Sequence, residues 1–212
     1  MRLLTLFVFL LPASRVKNLL LRALGHSVAA GVRIGPCIAS NVRRFVLKEE
    51  AHIGVGNVFR DLKLVSLGDH ARIGQWNWIT ATLTVEHGGG ALTMGRHSAV
   101  VSRHYLDCSG GIAIAEFAVV AGLRSVFLTH QVDYRSAKQT TSGISVGAYA
   151  LVNACNKLVP GATVPAMSVT ATGAVILPGL QTEGRLYGGV PARDIKAVDG
   201  AWFDRAEGRV GL

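Results

Sequence analysis

The 212-residue chain predicts an all-β domain, a parallel β-helix wound from six-residue repeats. Three observations carry that prediction. From Val146, residues six apart read Val146, Val152, Leu158, Val164, Thr170 and Ile176. The same step links Val28 to Ile34, Leu67 to Ile73 and Ile79, Met94 to Val100 and Leu106, and Ile114 to Val120 and Val126. A small residue often follows the aliphatic one, as in IG at 34, LG at 67, IG at 73, MG at 94, IA at 114 and VG at 146. Composition agrees: half the residues are hydrophobic, only 7% are aromatic, and 25 are glycine, which suits many short strands and turns better than a helical bundle. A period of six is neither helical nor simple strand alternation. It describes a short strand and a turn, repeated, with one aliphatic side chain pointing inward each time and successive coils stacked. Thr170 is the one polar member of its column.

Residues 1–25 precede the repeat. The apolar run Leu3 to Leu11 is too short to cross a bilayer core, which takes about 20 residues. No A-x-A-like cleavage site follows, only Pro12, Ala13, Ser14 and Arg15, so a cytoplasmic protein is expected rather than a secreted one. Ser14 can cap a helix and Gly25 can end it. Val16, Leu19, Leu20 and Ala23 then share one face, with Arg15, Asn18 and Arg22 largely opposite. Such a segment either caps the end of the domain or rests peripherally on the inner face of a membrane. Charge bears on this choice. The net charge is +9, eight Lys/Arg lie between Met1 and Lys48, and the first acid is Glu49. That imbalance reads as attraction to an anionic surface or as a solvated basic face, and no nucleic-acid-binding motif accompanies it.

Residues 26–190 are the repeat domain. Its three cysteines, Cys37, Cys108 and Cys155, are far apart and odd in number, and read as buried reduced thiols. The period fails between Thr129 and Ser142, and Val126 to Val146 spans twenty residues, two more than three hexads. A loop, 130–143, is therefore expected, opening with His130. Irregular segments on a rigid scaffold carry function disproportionately. An imidazole is largely neutral at cellular pH and suits a general base, provided its other nitrogen is held by a backbone carbonyl or a carboxylate such as Asp133. A turn histidine with a structural hydrogen bond is the alternative. Backbone N–H groups near Ser145–Gly147 are candidate donors to a developing oxyanion. Counting hexads puts Asn77, His104, Arg124 and Asn156 at one corner, away from His130 within one subunit. That column either lines a substrate cleft or builds turns, since Asn tolerates left-handed backbone. Trp76 and Trp78, flanking Asn77, either pack between subunits or stack on a sugar. A two-residue slip between Leu106 and Ile114 interrupts the count. Residues 191–212 are a short helix or tail.

The stretch VGAYALVNACNKLVPGATVPAMSVTATGAVI, with GGVPARDIK after it, resembles the hexapeptide-repeat acyltransferases, and the resemblance spans roughly residues 26–196. SRHYLDCSGG, AGLRS and FLTHQVDY look most like O-acetyltransferases of cell-surface polysaccharide synthesis. The resemblance implies a left-handed helix, a homotrimer with sites in clefts between subunits, acetyl-CoA as co-substrate along the cleft, and His130 as the catalytic histidine. It implies direct attack of a sugar hydroxyl on the thioester, without a metal. Asn77, Trp78, His104, Arg124 and Asn156 are the candidate substrate-binding residues. For CoA it points to Ser145 and Gly147 in the late coils and to Arg193. Pro178 stands where the family commonly has a lysine, so Lys157 or Arg185 is expected to substitute. Three alternatives stay open. One is N-acylation of an amino sugar nucleotide. Another is a metal-dependent hydratase, which needs a closely spaced histidine pair; histidines 26, 52, 70, 87, 97, 104 and 130 offer no H-x4-H. The last is a non-catalytic scaffold. An acceptor that is lipid-linked would suit the basic N-terminal segment.

Overall fold

The computed structural model describes residues 2–82 and 90–208. Short strands stack into three parallel sheets, the faces of a left-handed β-helix. The first face runs from Ser27–Val28 to Thr163–Val164, the second from Arg33–Ile34 to Val169–Thr170, and the third from Ile38–Ser40 to Val175–Ile176. Each face buries one column. On the first, Val28, Leu47, Leu67, Met94, Ile114, Val146 and Val164 lie in register. On the second, Ile34, Ile53, Ile73, Val100, Val120, Val152 and Thr170 do the same. All are 5% exposed or less, so truncating a leucine, isoleucine or methionine of a column to alanine costs about 2–5 kcal/mol.

The third column corrects the hexad count at one point. Phe127, not Val126, pairs inward with Leu106 and Leu158, while Val126 faces out beside Tyr105 and Lys157. One extra residue in the turn before Ser125 shifts the phase. The small residue after each inward aliphatic also has a different role from easing a turn. Gly74 has ordinary backbone, but a Cβ there would lie 2.0 Å from the Val101 carbonyl oxygen of the next coil. The left-handed residues sit two positions later, for example Trp76 at φ 59° and His97 at φ 55°. On one corner those left-handed positions carry rings that stack coil on coil: His70 on His97, His97 on Phe117, and Phe117 on Tyr149, at 4.7 to 4.9 Å. Aromatic stacking of this kind offsets part of the roughly 1 kcal/mol that a left-handed backbone costs each side chain.

Both ends are closed. Helix α1, Arg2–Leu10, and helix α2, Arg15–Ala23, lie across the first coil. Phe9 fills the open end of the solenoid against Phe45 and Phe59. Ser14 caps α2, accepting from the Lys17 N–H at 3.1 Å, as the sequence suggests. At the other end, where a short helix or tail is expected, Arg185–Gly189 and Ala192–Ala197 form an antiparallel pair before the tail begins. The tail then runs back along the aromatic corner: Trp202 Nε1–H donates to the Tyr149 carbonyl at 2.9 Å, and the Arg205 guanidinium lies over Trp202 and Tyr149. Cys37 and Cys108 are buried thiols, but Cys155 is exposed, because it occupies a left-handed corner position (φ 61°) rather than an inward one.

Candidate active site

The break in the period is a β-hairpin. His130–Asp133 pairs with Lys138–Thr141, projecting between the third face, at Val126–Phe127, and the first, at Ile144–Val146. His130 sits at its root, where rigid coil meets hairpin, and its side chain is 32% exposed.

The carboxylate that holds His130 is Asp107, one coil earlier. Its Oδ2 lies 2.7 Å from His130 Nδ1 and also accepts the backbone N–H of His130 (3.1 Å) and of Thr129 (2.8 Å). Its Oδ1 accepts from the Ser109 hydroxyl (2.5 Å) and the Ser109 N–H (3.2 Å). The Asp107 side chain is 2% exposed. Burial acts to raise its pKa, but hydrogen bonds from Ser109, His130 and Thr129 outweigh that and hold it below the usual carboxylate value. An ionised carboxylate can only accept, so Nδ1 carries the hydrogen and Nε2 keeps its lone pair. The pair is thereby set up to take a proton at Nε2.

Asp133, expected in this partnership from its proximity in the chain, is instead committed to the hairpin turn. It accepts from the Arg135 N–H at 3.0 Å and the Ser136 hydroxyl at 2.7 Å. Extended strand geometry carries residue 133 away from 130, whereas coil stacking brings Asp107 beneath it. The sequence marks the coil of Asp107 only by the slip between Leu106 and Ile114; that this irregular corner faces the one at His130 follows from the stacking of the two coils.

From this corner a groove follows the outside of the first face. One section, about 420 Å³, is walled by Gly110, Gly111 and Gly143; Gly110 donates its N–H to the Thr129 hydroxyl. It shares Thr93, Ala113 and Ser145 with a larger section of about 850 Å³, which continues past Gly147, Pro165 and Ala166 to Gly179 and Glu183. The floor is small because side chains there are small: a Cβ on Gly147 would lie 2.4 Å from the Ala166 nitrogen. Ser145 and Gly147 therefore line the groove. Their backbone N–H groups do not serve as oxyanion donors, since each is spent on the next coil, on the Ala162 and Val164 carbonyls respectively.

The remaining candidates divide. Asn77, His104 and Asn156 are buried, with Asn57 and Ser125, as an internal ladder at the corner between the second and third faces. Asn77 Oδ1 accepts the His104 N–H, and its Nδ2 donates to Asn57 Oδ1 and the Val101 carbonyl, all at 2.9–3.0 Å. His104 Nδ1 accepts from the Ser125 N–H, and burial lowers its pKa to about 4, so it is a neutral core group. These three do not face a substrate from within this chain. Arg124 is not in the ladder: Ser125 takes that rung, and Arg124 stands one residue before it, exposed, at φ 60°. Trp78 is exposed on the third face. Lys157 is also on that face, not beside the groove. Arg185 is paired with Asp194 at 2.8 Å, and Arg193 is exposed on the closing hairpin, its Nη1 donating to the Ala192 carbonyl. Among the described residues, no three His, Cys, Asp or Glu side chains gather to hold a metal; His87 lies outside the described residues.

No protein-family model matches the chain, and no curated protein matches its sequence. Solved structures do match its fold. A serine-to-cysteine mutant of AntD, an N-acyltransferase from Bacillus cereus, in complex with dTDP-4-amino-4,6-dideoxyglucose and coenzyme A, superposes with a TM-score of 0.63 at 16% identity, covering 91% of this chain and 93% of that one. AntD in complex with dTDP and 3-hydroxybutyryl-CoA gives 0.60 at 18% identity, covering 84% and 87%.

Proposed function

We propose that this chain is an acyl-CoA-dependent acyltransferase that moves an acetyl group from acetyl-CoA to a hydroxyl of a sugar or glycan. The observation that carries the reading is the His130–Asp107 pair, an imidazole held at Nδ1 by a buried carboxylate at the root of the hairpin, in the same corner as the groove walls Gly110 and Gly143. In the proposed reaction the acceptor oxygen attacks the thioester carbonyl as His130 Nε2 takes its proton. The carbon–sulfur bond breaks, and the proton passes from His130 to the departing CoA sulfur. Asp107 stabilises the imidazolium that forms between those events. Ser145 and Gly147 flank the groove in which the pantetheine arm is proposed to lie. Arg193 and Arg185, on the hairpin that follows the far end of the groove, are the proposed phosphate contacts; Arg185 would have to leave Asp194 to make one.

The proposed assembly is a homotrimer. The outward column of the third face, Ile38, Val58, Trp78, Tyr105 and Val126, is apolar over five coils, and Ile38, Trp78 and Tyr105 are each at least 39% exposed. Trp78 and Arg124 would then act at the cleft by way of a neighbouring subunit.

A second reading has its own support: one AntD structure pairs CoA with a dTDP-linked amino sugar, so an amine of a sugar nucleotide is the second proposed acceptor for this chain. One assay separates the readings. Purified protein is incubated with acetyl-CoA and separate pools of neutral sugars, amino sugar nucleotides and lipid-linked glycans, and thiol release is followed with acetylated product identified by mass. Acceptor-dependent turnover that falls about 10²–10⁴-fold in a folded His130→Ala variant is expected. Turnover within about tenfold of the parent would remove His130 from the role, and no acceptor-dependent thiol release with any pool would leave a scaffold.

A further inference from the structure

Helix α2 turns Lys17, Asn18 and Arg22 toward the solenoid beside a single buried leucine, Leu21. An amphipathic helix on a globular domain ordinarily buries its apolar stripe. Here the inward positions are Lys17 and Leu21, whereas Val16 and Leu19 are each 64% exposed. The cause lies in the first coil, whose lower carbonyls have no coil beneath them and must find other donors. Lys17 Nζ is buried and donates to Ile34 and Gly35 of that coil at 3.1 and 2.9 Å, and to Phe9 and Leu11 at the end of α1, both at 2.9 Å. Asn18 donates to the Val32 carbonyl, and Arg22 to those of Val28 and Ala29. With Lys17, Asn18 and Arg22 satisfying the edge of the solenoid, only Leu21 among the leucines of α2 is buried, and Val16, Leu19 and Leu20 face outward.

Helix α1 adds to that surface. It turns Thr5 and Phe9 inward and leaves Leu3, Leu4, Phe7 and Leu10 between 49% and 66% exposed. The end of the molecule is thus a patch of large apolar side chains on two helices that are held firmly to the domain. The segment that carries it is basic, the first acids being the exposed Glu49 and Glu50. Arg15, Arg33, Arg43, Arg44 and Lys48 are exposed, and no acidic residue occurs before Glu49. Neither helix is long and apolar enough to cross a membrane. An apolar patch in a segment where exposed cations outnumber acids fits a surface that is apolar in its interior and anionic at its face.

We propose that the outer face of α1 and α2 docks the protein onto an anionic lipid bilayer, in the plane of the interface, with the axis of the β-helix directed away from it. This inference is independent of the proposed enzymatic activity. Phe7, Arg15, Leu19 and Arg44 are all exposed, so replacing them leaves the buried columns intact.

The full-length protein is mixed with vesicles of phosphatidylcholine alone, or of phosphatidylcholine with one third phosphatidylglycerol, and floated on a density gradient. Binding to the anionic vesicles is expected, weakened by raised salt, and reduced about tenfold or more by Phe7→Glu with Leu19→Glu and by Arg15→Glu with Arg44→Glu. Circular dichroism and the oligomeric mass of each variant are measured alongside. Failure of the parent protein to float with anionic vesicles overturns the proposal. So does undiminished binding by the Phe7/Leu19 variant, and so does a change of oligomeric mass in that variant with binding unaltered, which would assign the patch to a second copy of the chain.

Discussion

At the residue scale, the distinction that matters is between two aspartates. Asp133 is three residues from His130 and caps a turn; Asp107 is a coil away and holds the ring. Only a fixed acceptor at Nδ1 keeps the tautomer in which Nε2 is a base. Asp107→Asn is therefore expected to lower turnover about 10²–10⁴-fold with the acceptor KM little changed, because the imidazolium formed during transfer loses its counter-charge. Asp133→Asn is expected to leave turnover within about threefold, since its carboxylate serves only the hairpin turn. Equal losses from the two would contradict the assignment. His130 itself was legible in the sequence because it stands where the period stops. Its partner was not, since the spacing between two breaks says nothing about their distance until the coils between them are stacked.

Elements show the same division. The inward columns follow from a strict period, and the register confirms most of them, but a single added residue before Ser125 moves Phe127 into the place of Val126 and Ser125 into the place of Arg124. The ladder that results is structural. His104 within it makes stability depend on pH in a defined direction. Its folded pKa, lowered to about 4 by burial, lies below the ordinary value of 6.5. Above pH 6.5 both folded and unfolded states hold it neutral, so it adds no pH dependence there. Between 6.5 and 4 the unfolded chain binds a proton that the folded one refuses, so stability falls as pH falls, by about 3 kcal/mol in all. His104→Asn, which extends the ladder of Asn57 and Asn77, is expected to flatten that part of a urea-denaturation series relative to the parent protein. An unchanged difference between pH 7 and pH 4 would mean His104 is not a neutral core group. His26, His52 and His97 are also lowered, chiefly by burial, and contribute equally to both proteins.

For the whole molecule, a three-sided solenoid offers two long surfaces of use: the groove of small residues on its first face and the apolar column on its third. The proposed trimer joins them, each third face meeting a neighbour beside its groove. Light scattering is expected to give three times the chain mass, and Trp78→Asp to give the single-chain mass with loss of acyl transfer of at least about tenfold, since a charge placed at the centre of an apolar contact is left unpaired. A parent protein that is a monomer at micromolar concentration would remove the shared cleft. The sequence by itself determined the coil, its period, its inward columns up to the added residue before Ser125, and the place where it breaks, because those depend on contacts that recur every six residues. Tertiary structure alone decided which break sits on which, and which side of α2 is hidden. Those outcomes depend on the residue count of every intervening turn and on the unpaired carbonyls at the open end of the solenoid, quantities that exist only once the coils are stacked.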